Sequence, residues 1–175
     1  MPPRKADVDI RETPEFRQYQ DNERFQAWLR MHDAAMEIDT PLFDMTGMNE
    51  LYSREGLVRA ERELVKKFAD SGGAFTTDNY KLGMRFVYYI GETFRRAIEG
   101  RWVALPPDPP QSPQPKSVID VEYRSKFYNP QHMIGLALGR RTGTEITSIF
   151  DRAVKAHQKW VDAGRPARGT WEGYA

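Results

Sequence analysis

The stretch YYIGETFRRAIEGRWVAL, residues 88–105, changes its period at Gly100. Before that glycine, Phe86, Val87, Ile90, Phe94, Ala97 and Ile98 recur every three or four residues, the spacing that gathers apolar side chains on one face of a helix. After it, RWVAL is short, rich in aromatic and β-branched residues and bounded by prolines, which describes a strand. SVIDVEY, residues 117–123, has the same character, so an antiparallel pair of 101–105 with 118–123 is expected. The segment between them, PPDPPQSPQP, is too rich in proline for a tight hairpin. It reads as an extended loop over 106–116, a solvated linker in preference to a ligand for an SH3-type groove.

Working outward, the helix before Gly100 is expected to start at a cap on Asp78 and to be central. Upstream, Ser53 caps a second helix whose buried stripe is Leu57, Leu64, Val65 and Phe68, closed by DSGG. Thr13-Pro14 opens a first helix, in which Phe25, Trp28, Leu29, His32, Ala35 and Met36 carry the apolar spacing to about Glu37. Downstream, NPQHMIGLALG suggests a short helix from Pro130. Thr142 with Glu145 forms a capping box for a last helix that buries Ile146, Ile149, Phe150, Ala153, Trp160 and Val161. Helices on either side of one strand pair make an α+β fold, mainly helical, in a single domain over 13–163. Residues 1–12 are charged and aperiodic and read as a flexible arm; 164–175 read as a tail.

Composition narrows the function classes. The chain has 175 residues, no cysteine and a net charge of +1. Thiol chemistry and disulfides are excluded, and no overall field draws the protein to nucleic acid or anionic lipid. The N-terminus has no apolar core like that of a signal peptide, and no window has the length of a membrane span, so the expectation is a cytoplasmic protein with no membrane partner. His32, His132 and His157 have no i,i+4 ligand partners of the zinc kind, and GLALGRRTGT follows no strand and lacks the P-loop lysine. No metal and no cofactor are expected. Asp33 beside His32 makes no dyad, because adjacent helical residues point about 100° apart.

Two features of the helices bear on function. At 100° per residue, Arg85, Tyr89, Glu92 and Arg96 fall within an arc of roughly 60°, away from the apolar stripe. They form a polar row that can pair with itself, Glu92 with Arg96 at i,i+4 in the favourable order. Gly91 beside Tyr88 and Tyr89 marks a close approach by another part of the chain, assigned to the RWVAL strand. On the second helix, Glu61 falls at the centre of the apolar stripe. A carboxylate there is costly unless partnered, and Arg85, Arg95, Arg96, Arg101 and Tyr89 are candidate partners.

The segments PLFDMTGMNELYSREGLVRAERELVKKF and YYIGETFRRAIEGRWVALP together resemble a group of small bacterial α+β proteins. In that group an aspartate turn and a Ser-capped helix precede a Tyr-x-Gly-Glu helix ending in Gly-x-Trp-Val, here Tyr89 to Glu92 and Gly100 to Val103. The likeness covers about residues 40–125. This chain departs from the pattern in a stretch at Thr46-Gly47 that looks like an insertion and in its longer proline loop. Some members of such groups resemble immunity proteins encoded beside secreted toxins, and the resemblance implies that kind of partner.

Three function classes follow. The first is a non-enzymatic protein-binding domain, which would use Arg85, Tyr89, Glu92 and Arg96 with the proline loop at the rim, and for which the resemblance suggests a toxin as partner. The second is a small enzyme in which Glu61 and Glu92 converge as a carboxylate pair for acid and base chemistry. The third is a nucleic-acid-binding adaptor using Arg95/Arg96, Arg140/Arg141 and the tail GRPARG, which is similar to minor-groove hooks with a Gly-Arg-Pro core. The first asks least of the sequence, since tyrosine, tryptophan and arginine dominate protein–protein hot spots.

Overall fold

The computed structural model describes residues 8–39, 41–109 and 114–174. Among these are six α-helices and one two-stranded antiparallel sheet, a mainly helical α+β domain. The first predicted helix is two: α1 (Pro14–Gln20) and α2 (Glu23–Ile38). The apolar spacing starts only at Phe25, after the polar residues 20–24, and the Asn22 side chain accepts hydrogen bonds from the Arg24 and Phe25 amides, so Asn22 caps a new helix. α3 (Arg54–Lys67) starts as expected, with Ser53 accepting from the Gly56 amide. α4 (Tyr80–Ala97) starts at Asn79, not Asp78. The Asn79 amide group bonds the Gly73 carbonyl instead of capping the helix.

β1 (Arg101–Leu105) pairs with β2 (Lys116–Asp120) in the register Val103 with Val118. The second strand ends three residues earlier than expected because Arg101, opposite Asp120, is the first residue of β1. Beyond that pair β1 offers no partner, and Tyr128 returns beside Ile119, exchanging hydrogen bonds of 2.8 and 2.9 Å. On the other side of β1, Gln20 acts as a one-residue strand partner. Its amide donates to the Ala104 carbonyl and accepts from the Ala104 N–H, at 2.9 and 3.0 Å. α5 (Pro130–Arg140) is capped by Asn129, and α6 (Glu145–Asp162) follows after a turn with Arg141 and Gly143 at positive φ.

α4 is the hub: it touches α2, α3, α5, α6 and both strands. Phe86, Ile90, Phe94 and Ile98 are wholly buried on it, with Leu57 and Leu64 of α3 and Ile134 and Ile146 beyond. A smaller apolar cluster of Phe16, Val103 and Val118 fixes α1 to the sheet.

Both ends are tied to this body. Residues 1–7 of the expected arm lie outside the described residues, but Ile10–Glu12 form a short 3-10 turn, and Arg11 reaches the buried Asp120 at 2.7 Å. In the tail, Arg168 meets the same carboxylate at 3.0 Å, Trp160 donates from Nε1 to the Pro166 carbonyl, and Trp171 packs on the core. Arg101 makes the third ion pair of Asp120, at 2.8 Å. One aspartate in an apolar strand thus gathers three arginines from separate parts of the chain. That arrangement fits a buried carboxylate, which is costly until every oxygen lone pair is used.

Candidate functional site

The polar row of α4 does not lie open as a unit. Tyr89 is fully buried and its hydroxyl donates to the Leu51 carbonyl at 2.7 Å. A Cβ on Gly56 would overlap that hydroxyl, so the glycine is what lets α3 close over it. Glu92 is 3% exposed. Its carboxylate accepts from Arg95 through two nitrogens, from Arg96 at 2.8 Å, and from Trp102 Nε1 at 3.0 Å. Burial pushes the Glu92 carboxyl up, but these bonds outweigh it and hold the group below the ordinary glutamate range. Arg85 is largely covered, with Asp39 at 4.0 Å.

What the row presents to solvent is therefore a guanidinium pair. The side chains of Arg95 and Arg96 are 38% and 48% exposed, and Arg96 lies over the Tyr52 ring at 3.9 Å. Tyr52 in turn stacks on Tyr89. Tyr52 was not singled out from sequence, because a half-buried tyrosine in a turn carries no periodic signal.

Gly91 does mark a close approach by the RWVAL strand, through a side chain and not the backbone. A Cβ there would sit 2.0 Å from a Trp102 ring atom. Trp102 stacks on Tyr88 with ring planes 6° apart, and Trp28 and His32 complete an aromatic cluster. Tyr88 donates to Asp33 at 3.1 Å. His32 is buried, and its Nδ1 has no hydrogen-bond partner. Burial, helped by the Arg85 charge, lowers its pKa to about 4, so it is neutral at pH 7.

Glu61 is also fully buried, but its partners are neither arginines nor Tyr89. Its two oxygens accept from the first amides of α6, Glu145 N and Ile146 N, each at 2.9 Å. The carboxylate caps a helix 84 residues away in sequence. This explains why Thr144, at the cap position, makes no capping bond, and why the Thr142–Glu145 box does not form. Burial raises the Glu61 carboxyl above the ordinary range more than the two amides pull it down, with Glu145 adding to the rise. Glu61 and Glu92 share no hydrogen-bond partner: the first meets backbone amides, the second arginines and an indole.

The arginines of the nucleic-acid reading are likewise occupied. Arg140 pairs with Glu145, and Arg141 donates to the Val65, Phe68 and Ala69 carbonyls at the end of α3. In the tail, Arg165 binds Glu99 and Arg168 binds Asp120 and Glu122. Among the described residues, no three His, Asp or Glu side chains are grouped to hold a metal ion, and no helix is long and apolar enough to cross a membrane. No family model, curated protein or solved structure matches the chain.

Proposed function

We propose that this is a non-enzymatic domain that acts by binding another protein through the Arg95/Arg96 face of α4. The observation that supports this is the preorganisation of that face. Glu92 fixes both guanidiniums from beneath, Tyr52 supports Arg96, and Tyr89 supports Tyr52, while both arginines keep over a third of their surface in water. Anchors already held in place lose little side-chain entropy on docking, and arginine and tyrosine are frequent hot-spot residues. In this refinement of the row, Tyr89 and Glu92 position the face and Arg85 lies at its edge. A carboxylate-bearing protein surface is the complementary partner, and the resemblance supplies the narrower form, a cytoplasmic immunity-like factor that binds and blocks a bacterial toxin.

The test is affinity purification from the native cell, followed by titration of the recovered partner against Arg96→Ala and Tyr52→Ala. Affinity losses above ~2 kcal/mol, with circular dichroism unchanged, are expected. Wild-type affinity in both variants would remove the interface from this face. Tight, salt-dependent nucleic-acid binding with no protein partner would favour the adaptor.

A further inference from the structure

A second region has chemistry that the fold does not consume. Between α5, α6, the 121–129 segment and the C-terminal tail lies an open cavity of about 690 Å³, within the size range of small-molecule sites. Its cations are Arg124, Arg152, Lys155 and Lys159, with the His132 ring beside them, and no residue lining it is acidic. Arg152, Lys155 and Lys159 follow one another at three- and four-residue spacing on α6, so they share a face and repel each other. The adjacent carboxylate, Asp151, is drawn away to Arg54 at 2.8 Å.

The walls of the cavity are aromatic. Tyr128 carries the Arg124 guanidinium over its ring at 4.3 Å, Phe127 stands beside it, and Trp171 closes the tail side. Tyr123 is 3% exposed, and its hydroxyl is sealed from solvent beside Tyr128. Burial raises the Tyr123 pKa, with the neighbouring Tyr128 adding to the rise, so the group remains a donor at neutral pH.

We infer that this cavity binds a small anion bearing a flat aromatic ring, of the nucleotide class, with its phosphate against the α6 cations and its ring against the aromatic walls. Phosphate neutralises the α6 cations, and a base can stack on Phe127 and Trp171, the part-exposed rings of the lining. A free nucleotide and the terminal nucleotide of a strand offer the same chemistry. The inference is independent of the protein-binding face on α4.

The experiment titrates the full chain with adenosine and uridine monophosphates, inorganic phosphate, and a short 5′-phosphorylated oligodeoxythymidine, followed by calorimetry and tryptophan fluorescence. Saturable binding of the monophosphates, at least tenfold tighter than phosphate alone, is expected. Lys155→Ala combined with Lys159→Ala should weaken it at least tenfold. Equal affinity for the oligonucleotide and the monophosphates assigns the site to free nucleotides; tighter oligonucleotide binding, lost in the same variant, assigns it to a strand end. No saturable binding at millimolar nucleotide, affinity equal to that of phosphate, or indifference to the double substitution would overturn the inference.

Discussion

Glu61 and Glu92 are both buried carboxylates on helices that pack together, yet the fold satisfies them in different ways. Glu92 is met mostly by side chains that can turn to water if it is lost, two half-exposed arginines, with one packed indole N–H beside them. Glu61 is met by backbone amides that cannot move without unwinding the start of α6. The first arrangement is local and organises a surface. The second is long-range and joins α3 to α6, so it carries more of the stability.

The largest expected effect follows from that asymmetry. Glu61→Ala leaves two helix-terminal amides without an acceptor and opens a void among Leu57, Leu64 and Ile146. Roughly 4 kcal/mol of stability should be lost, read by urea or thermal unfolding. Glu63→Ala on the same helix loses only a part-exposed i,i+4 pair with Lys67 and should stay within ~0.5 kcal/mol. Equal effects from the two substitutions would break the comparison.

Next is the acid response of the Glu92 side. His32 stacks between Trp28 and Tyr88, in the aromatic cluster whose Trp102 donates to Glu92. Its folded pKa lies well below 6.5, so the unfolded chain takes up the proton first. The stability contributed by the neutral ring is complete above that value and is lost as pH falls from 6.5 toward about 4. A slope approaching about 1.4 kcal/mol per pH unit is the upper limit. His32→Leu should flatten this limb of the stability profile. An unchanged limb in that variant would assign the acid response to other groups.

Glu92→Ala comes third, at about 1–2 kcal/mol, because Arg95 and Arg96 hydrate on release and only the Trp102 N–H is left in the interior. Tryptophan fluorescence should shift with the loss, since the indole loses its acceptor. A cost equal to that of Glu61→Ala would mean that the arginines are as immobile as backbone.

How much of this was legible in the sequence depended on range. The switch from helix to strand at Gly100 is local, so the central helix, the antiparallel pair and the closeness of Gly91 to RWVAL could be read from spacing. Glu61 could be found as an anomaly in an apolar stripe, but not its partners, because backbone amides carry no residue identity. The break at Asn22 was missed although residues 20–24 are all polar, and the same blindness hid the ends of the chain, whose arginines look solvated until Asp120 is placed among them. The row on α4 was misjudged as a surface because angle alone does not say how far neighbouring elements wrap. α3, passing Gly56 against the Tyr89 hydroxyl, covers what the wheel left outside. The basic face of α6 was legible in principle from Arg152, Lys155 and Lys159, but its walls come from three other segments.

The smallest effect is one of sign. Glu61 has its carboxyl pushed above the ordinary value of 4.5, and Glu92 has its own held below it. A raised carboxyl contributes stability that is complete below the unfolded value and declines as pH rises through the folded one. A lowered carboxyl contributes stability that is present above the unfolded value and declines as pH falls through the folded one. Glutamine removes the titration and keeps the shape, so the difference between wild type and Glu61→Gln should move against the wild type from pH 4.5 upward. The difference between wild type and Glu92→Gln should move against the wild type from pH 4.5 downward. His32 and every other titrating group are common to each pair and cancel in the subtraction. Opposite tilts would establish that one carboxylate is governed by burial and the other by its cations. Tilts of the same sign would mean that the two environments differ in geometry but not in electrostatics, and the distinction between a joining carboxylate and an organising one would then rest on the alanine variants alone.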